Sequence, residues 1–227
     1  MNFYEQENNK TVLKTREIIR ELPEFCNEFF LDLNQNTLPK TRMGYAYDLR
    51  VFFNFLVTEN KEFLGRDIKS LTLDDLQKIK VVDINQFMDY LAYYVSDEDS
   101  QLYSNGENGK ARKLAAVRKL FKYFYRTEKI SSNPAELTIT PKRHEKEIVR
   151  LEPNEVAEML DVIENGSKMT SKQKEYYEKT KIRDLAIVTL LLGTGLRVSE
   201  CVGLDIDDVD FDVNGVRVLR KGSKEMI

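Results

Sequence analysis

Residues 183–200 read RDLAIVTLLLGTGLRVSE, and this stretch sets the fold of the second half of the chain. An apolar run of helical length stops at Gly-Thr-Gly, and one arginine, Arg197, follows directly. Glycine just past the last apolar residue is the usual signal for the end of a helix. The pattern predicts a buried helix that ends sharply and holds Arg197 rigidly at a surface. Glu200, three residues later, either orients the guanidinium or stays solvated.

The residues that follow change period and predict β-structure. Apolar residues alternate with aspartates over residues 209–213 and with Arg217 over residues 216–218. Asn214-Gly215 between the two runs predicts a tight hairpin. The aspartates do not fit a calcium loop, which needs glycine at its sixth position and glutamate at its twelfth. We therefore expect a polar strand face and no metal site.

The first half of the chain predicts helices, because apolar residues recur there at spacings of three and four. Thr41 or an earlier residue is expected to cap the third helix. The polar, glycine-bearing residues 96–110 predict a loop, and Met43, Tyr90 and Tyr93 are expected in the core. The predicted helices cover residues 12–21, 24–33, a segment within 36–60, one within 71–80, 81–95 and 110–129.

The last of these helices has a basic face opposite its apolar stripe. That face carries Arg112, Lys119, Lys122 and Arg126, and Glu128 is the only acid between Lys110 and Lys129. A stretch of one sign in a chain of net charge -3 favours contacts with phosphates over a merely solvated surface. A second predicted contact set lies at the start of the third helix and consists of Lys40, Thr41, Arg42 and Tyr45. A third set, further along the chain, consists of Lys142, Arg143 and Lys146.

The predicted linker holds the third set. Residues 133–153 contain three prolines and a cluster of lysine and arginine, which predicts an extended connection. We therefore expect a helical DNA-binding domain over residues 1–140, with a helical N-terminal extension within 1–35. A basic linker over 141–150 and a second domain over 151–227 follow. The second domain is expected to begin with a helix over 153–164 and a polar stretch over 165–181.

Composition narrows the class of protein. The 227 residues are 41% hydrophobic and 32% charged, as expected of a folded globular chain. Cys26 and Cys201 lie far apart in apolar surroundings, which argues against a disulfide framework or a zinc site. No apolar run approaches the ~20 residues that cross a bilayer, and the N-terminus is polar and acidic. We expect a cytoplasmic protein.

These features together resemble the tyrosine recombinase (phage integrase) family and, within it, the Xer-like and transposon integrases. The most specific match is RDLAIVTLLLGTGLRVSECVGLDIDDVDF followed by VRVLRKGSKE. TRMGYAYDLRVFFNFL and ARKLAAVRKLFKYFYR are similar to the family's core-binding domain. The resemblance implies a mainly α fold, in which a helical SAM-like core-binding domain precedes a truncated mixed α/β catalytic domain with a β-hairpin at its C-terminal end.

The resemblance also implies roles and partners. Arg197 matches the first catalytic arginine, and Lys221 matches the catalytic lysine of the hairpin, with Lys224 as its alternative. The family breaks and rejoins double-stranded DNA through a tyrosyl-phosphate, as a tetramer on paired sites, without metal, nucleotide or small-molecule cofactor. A guanidinium suits the charge on the nonbridging oxygens, and a lysine suits protonation of the leaving 5′-oxygen.

One departure from the family pattern limits the expected activity. The family's His-x-x-Arg pair, its later His or Trp and its nucleophilic tyrosine all lie beyond the position of Lys221. Here the only histidine is His144, expected to be an exposed linker residue, and no tyrosine follows Tyr177. We expect this chain to be inactive in DNA cleavage. A non-catalytic DNA-binding module that occupies recombination sites, and a helical protein-interaction adaptor, remain as alternatives.

Overall fold

The structure is a computed structural model that describes residues 3–95, 101–142, 147–167, 169–220 and 224–226, without the side chains of residues 219, 220 and 224–226. The chain divides into two compact units, Met1–Glu145 and Lys146–Ile227, called here unit 1 and unit 2. The division falls inside the stretch expected to be a linker. Each unit is described by itself.

Unit 1 consists of seven described α-helices and one short antiparallel hairpin. The hairpin pairs Tyr94 with Tyr103 and Val95 with Leu102. A single 3₁₀ turn, Ile68–Ser70, precedes the fourth helix. The helices are α1 Phe3–Ile19, α2 Cys26–Asn36, α3 Pro39–Thr58, α4 Leu73–Lys78, α5 Val81–Tyr90, α6 Glu107–Arg126 and α7 Pro134–Leu137, and the strands are β1 Tyr94–Val95 and β2 Leu102–Tyr103.

The core of unit 1 is built around α3 and α6, which pack against each other. Their apolar residues recur at helical spacing, so each helix buries one complete side. Phe52 of α3 contacts Phe87 of α5 edge-on, with ring centroids 5.1 Å apart, and Phe121 of α6 at 6.5 Å. Such edge-to-face pairs add to the stabilisation that burial gives. The prediction of a mainly α fold is confirmed.

The first helix shows how polar residues enter this core. Thr11 and Thr15 of α1 are buried where α1 packs on α3. Each hydroxyl donates a hydrogen bond of 2.7 Å to the carbonyl four residues earlier, on Glu7 and Thr11 respectively. This bond leaves the methyl group to pack and satisfies the buried hydroxyl.

The third helix begins at Pro39, with Leu38 as N-cap and no side-chain cap, because proline suits a first helical position; the cap is thus an earlier residue than Thr41, the second of the two options. Two other local predictions for unit 1 were wrong. The fifth helix ends at Tyr90, and the residues beyond it pair with part of the expected loop as β1 and β2. Tyr93 is 67% exposed and is not a core residue.

Unit 2 has three α-helices and two pairs of short antiparallel strands in its described part. A 3₁₀ turn, Ile206–Asp208, leads into the first strand. The elements are α8 Pro153–Asn165, α9 Ser171–Thr194, α10 Val198–Val202, β3 Val209–Asp210, β4 Gly215–Val216, β5 Val218–Arg220 and β6 Lys224–Met226. β3 pairs with β4, and β5 pairs with β6, both antiparallel.

Helix α9 ends where the sequence predicts, but it begins earlier and is not buried. It starts at Ser171, inside the expected polar stretch, because Thr170 and Gln173 form a capping box at its N-terminus. None of its residues is buried, and Ile182 is 80% exposed. The prediction of a buried helix was therefore wrong for the described chain, since α8 and α10 cover only part of the α9 surface.

The acidic segment forms a hairpin with a longer loop than expected. Asp210 pairs with Gly215, so Gly215 belongs to a strand and residues 211–214 form the loop. Asn214 has φ +50°, which asparagine tolerates better than most residues. Phe211 and Val213 are exposed in this loop, so the predicted strand alternation stops at Asp210.

None of the described helices is long and apolar enough to cross a membrane. Within the same residues, no group of three or more histidine, cysteine, aspartate or glutamate side chains is arranged to hold a metal ion.

Candidate functional site

Arg197 occupies the N-cap of α10, immediately after a rigid turn. Gly195 ends α9 with φ +64°, a left-handed conformation that glycine adopts without strain. Thr194 tightens the turn, because its hydroxyl oxygen accepts a 3.3 Å hydrogen bond from the Leu196 amide and donates to the Leu190 carbonyl at 2.5 Å. The Gly-Thr-Gly sequence thus fixes where the backbone of Arg197 begins the next helix.

Glu200 holds both the backbone and the side chain of Arg197. One carboxylate oxygen accepts a 2.9 Å hydrogen bond from the Arg197 amide, and the other accepts a 2.8 Å bond from Arg197 Nη1. The Glu200 side chain is 7% exposed, whereas the Arg197 side chain is 68% exposed. Of the two roles open for Glu200, the structure places it in the orienting one.

In this geometry the guanidinium of Arg197 is exposed to solvent, while the backbone that carries it is held in place. Because Glu200 is buried, its carboxylate has little freedom to move. Its hydrogen bond to one guanidinium nitrogen therefore restricts the rotamers that Arg197 can adopt. The outer N–H groups remain available to an oxyanion, and arginine stays protonated at any physiological pH. The arrangement fits bidentate binding of phosphate oxygens.

The predicted catalytic lysine lies outside the described residues. Lys221 belongs to residues 221–223, which follow β5 and precede β6 in the sequence. For β5 and β6 themselves, the pairing of the backbones is described. The backbone of the alternative, Lys224, pairs with Arg220. The choice between Lys221 and Lys224 stays a prediction.

The basic face of α6 lies at the surface of unit 1. Arg112, Lys119, Lys122 and Arg126 are all exposed, while the opposite side of the helix is buried in the core. Spacings of three, four and seven residues place the four side chains within a narrow sector of the helix. The face is therefore a continuous strip along a 20-residue helix.

Acids from other helices reach the ends of this strip, which the sequence of α6 alone could not show. Asp48 of α3 lies 2.8 Å from Arg112, and Asp32 of α2 lies 3.1 Å from Arg126. Lys119 and Lys122, at the middle, have no carboxylate partner among the described residues. The basic strip is thus partly neutralised at both ends, and the two lysines at its centre keep charges that no carboxylate among the described residues pairs with.

Asp48 is the most unusual charged group of unit 1. Its side chain is 2% exposed, and neither carboxylate oxygen has a well-aligned hydrogen-bond donor among the described residues. Burial raises the pKa of Asp48 to about 6, against the attraction of Arg112 and of Lys113, whose Nζ lies 3.8 Å away. Burial also lowers the pKa of Lys113, which donates to Asn105. This buried pair lies directly beneath Arg112.

The second predicted contact set lies beside Arg112. A Cβ added at Gly44 of α3 would be 3.6 Å from Arg112 Nη1, so the α3–α6 contact brings the two sets together. The members of the set differ in their surroundings. Lys40 and Thr41 are exposed, Arg42 donates a 2.5 Å hydrogen bond to the Thr37 carbonyl at the end of α2, and Tyr45 is half-buried against the core.

The third predicted set is only partly visible. Lys142 is exposed, whereas Arg143 and Lys146, like His144, lie outside the described residues. Arg118 is a residue that the sequence reasoning passed over. It sits on α6 between the basic strip and the core, and its guanidinium binds the segment that precedes the linker. Its position on α6, outside both the basic face and the apolar stripe, was the only feature of the sequence that could have pointed to Arg118.

Comparison with known proteins supports one family. Residues 149–227 match the phage integrase family. Tyrosine recombinase XerC of Caldanaerobacter subterraneus subsp. tengcongensis is 33% identical over 211 residues, which cover 90% of this chain and 53% of that protein. XerC of Pelobacter propionicus is 30% identical over 87% of this chain and 55% of its own length.

A relative with a different name gives the same result. Tyrosine recombinase XerS of Streptococcus uberis is 30% identical over 92% of this chain and 65% of its own length. The chain thus spans slightly more than half the length of the XerC relatives it matches. The similarity covers both units, and the matched family segment contains Arg197 and its turn. Residues 149–227 thus match the phage integrase family, and about nine tenths of the chain is similar to tyrosine recombinases.

Proposed function

We propose that the chain is the DNA-binding and leading catalytic part of a site-specific DNA recombinase that works through a tyrosyl-phosphate intermediate. The observation that carries this proposal is the Arg197–Glu200 pair at the turn after Gly195, within the segment that matches the family. A guanidinium held by a buried carboxylate and open to solvent suits a scissile phosphate.

The proposed chemistry divides between two cations. Arg197 binds two nonbridging oxygens of the scissile phosphate, where negative charge concentrates in the pentavalent transition state. Lys221, or Lys224 in its place, donates a proton to the leaving 5′-oxygen. A charge fixed before the reaction needs no reorganisation when the transition state forms, which makes such residues effective. Assembly of the recombinase as a tetramer on paired sites is part of this proposal.

Unit 1 supplies duplex binding in this proposal. The central lysines of α6, together with Lys40 and Thr41 at the start of α3, contact the phosphate backbone, and Lys142 and Arg143 follow it from the linker. Support comes from the exposure of Lys119 and Lys122, which have no carboxylate partner within the described part of the chain, between neutralised ends. Such contacts position a protein on DNA without reading its sequence.

Reversing the two central charges tests duplex binding. Lys119→Glu with Lys122→Glu should weaken binding to all duplex sequences alike and reduce the slope of log affinity against log salt by about 2, one for each lost phosphate contact. The matched control is Lys61→Glu with Lys69→Glu, two exposed lysines of unit 1 that change the net charge equally. Gel shifts over a range of salt concentrations measure both.

Two outcomes contradict parts of the proposal. Equal affinity and slope for the Lys119, Lys122 variant and its control would remove the α6 strip as the binding face. No duplex binding by the parent chain at low salt would favour the helical adaptor over any DNA-binding role.

The second candidate is a DNA-binding module that occupies recombination sites without cleaving them. It rests on the exposed basic face of α6 alone and needs no catalytic role for Arg197 or Lys221. Reading the coding sequence downstream distinguishes the candidates, because a following His-x-x-Arg and tyrosine would complete the enzyme.

A further inference from the structure

Arg118 differs from the other cations of α6 in what it contacts. Its Nε donates a 3.0 Å hydrogen bond to the Ala135 carbonyl, and its Nη1 donates a 2.6 Å bond to the Thr140 hydroxyl. Its Nη2 donates to the Thr138 carbonyl. Among the described residues it forms no ion pair with a carboxylate, so its donors serve neutral acceptors in one segment.

That segment has little else to hold it. Helix α7 has four residues, far fewer than a helix needs to persist alone. Pro134 and Ala135 are buried, and α7 packs against α5 and α6. After Ala135 the apolar side chains of Leu137 and Ile139 are both exposed. Beyond the first turn of α7, the segment is therefore anchored by polar contacts.

The planar shape of the guanidinium allows these contacts to fix the path of the segment. Its N–H groups lie in one rigid plane, so three acceptors that bind it at once must keep fixed positions relative to each other and to α6. The acceptors span residues 135–140, and Thr138 has an extended backbone that redirects the chain after α7. Thr138 is itself buried, and its hydroxyl bonds back to the Pro134 carbonyl at 3.4 Å.

We propose that Arg118 is a positioning residue that fixes the path of residues 135–140 and, through it, the direction in which the chain leaves unit 1. The contacts end at Thr140, immediately before the basic linker residues begin. Arg118 is also the neighbour of Lys119 on α6, so one helical turn joins the proposed phosphate contacts to the chain exit. The consequence for DNA rests on the proposed function: a fixed exit path holds Lys142, the proposed phosphate contact two residues beyond Thr140, in place before the duplex arrives, which lowers the ordering cost of binding.

Three variants separate positioning from simple stabilisation. Thr140→Val removes one acceptor at an exposed position and leaves α6 intact. Arg118→Gln removes the guanidinium, and Arg118→Lys keeps the charge but offers a point donor in place of the planar fork. Thr127→Val is the matched control, because the Thr127 hydroxyl bonds to Tyr123 at the far end of α6, away from the segment.

The measurement is the distance distribution between two nitroxide labels in the full chain. One label is attached to Lys142→Cys, beyond the anchored segment, and the other to Lys61→Cys, both exposed positions of unit 1, in a chain that carries Cys201→Ser. Cys26 is fully buried and is not expected to react. Circular dichroism at the same temperature verifies that unit 1 is folded in each variant.

We expect the distribution to broaden in Thr140→Val, and more in Arg118→Gln and Arg118→Lys, while Thr127→Val matches the parent. Duplex affinity should fall roughly threefold in Arg118→Gln, as expected when a proposed phosphate contact must be ordered on binding. A parent distribution as broad as that of the variants, or folded variants with the parent's distribution, would overturn the positioning role. If the parent does not bind duplex DNA, the proposed function fails, and the distances still decide the role of Arg118.

Discussion

At the scale of single residues, buried carboxylates set how the cations of both units are presented. Glu200 fixes Arg197 through two hydrogen bonds, and Asp48 lies beneath Arg112 without good hydrogen bonds of its own. The two acids differ in neighbourhood. Glu200 accepts from a backbone amide as well as a guanidinium, so its charge is satisfied, whereas the charge of Asp48 is opposed by burial.

The Asp48 carboxyl predicts an unusual dependence of stability on pH. Its pKa in the folded chain is about 6, above the ordinary value of 3.8, so the folded state keeps a proton that the unfolded state has released between these pH values. The free energy of unfolding therefore contains a contribution that falls as the pH rises from about 4 to 6. Above pH 6 the full penalty for a buried, ionised carboxylate remains.

Asp48→Asn removes this titration. The stability of Asp48→Asn relative to the parent should rise as the pH increases from 4 to 7, by at most about 3 kcal/mol at 1.4 kcal/mol per pKa unit. Urea unfolding followed by circular dichroism at each pH measures it, with the exposed Asp74→Asn as control. A difference between Asp48→Asn and the parent that does not change with pH would contradict the assignment.

At the scale of elements, the ends of helices are better determined than their burial. The N-terminus of α9 has a Thr170–Gln173 capping box, and its C-terminus has Gly195 in the left-handed region. The N-terminus of α4 shows the same local control: Asp75 accepts from the Thr72 amide, and Arg66 binds both oxygens of its carboxylate at 3.0 and 2.9 Å. These hydrogen bonds, led by those from Arg66, hold the pKa of Asp75 well below its usual range.

A substitution at Gly195 tests the link between the end of α9 and the turn that presents Arg197. No atom lies within 4 Å of a Cβ built there, so Gly195→Ala should destabilise unit 2 through backbone strain alone, by about 1–2 kcal/mol. Gly195→Asn should be destabilised less, because asparagine enters the left-handed region more readily. Thermal unfolding of the full chain provides the measurement, with Gly106→Ala, at a glycine with φ -68° and open space, as control. Equal effects at the two glycines would contradict this account.

At the scale of the whole molecule, the proposed function separates DNA binding from DNA cleavage. The proposed phosphate contacts and Arg197 are present, while no tyrosine follows Tyr177 in the 227 residues. A polypeptide of these residues should bind duplex DNA yet form no covalent product on a nicked suicide substrate. Denaturing gel electrophoresis detects such products, and a protein–DNA adduct that survives denaturation would show that the chain contains its own nucleophile.

The sequence by itself determined the helical class of the chain, the end of α9 at Gly195 and the similarity to the family. These depend on local rules: apolar spacing, the conformational freedom of glycine and a motif continuous along the chain. It also predicted the exposed side of α6, because a helix of known period shows both of its faces.

Only the tertiary structure decided which of the predicted cations are free and which are held. Asp48 and Asp32 reach Arg112 and Arg126 from other helices, at separations of 64 and 94 residues along the chain, and Arg118 reaches forward to residues 135–140. The sequence did not predict the exposure of α9 either, since the burial of a helix depends on which other elements cover it. The physical reason is the same throughout: a local pattern fixes how a segment folds, while pairing and burial depend on groups that are distant along the chain and adjacent only in the folded molecule.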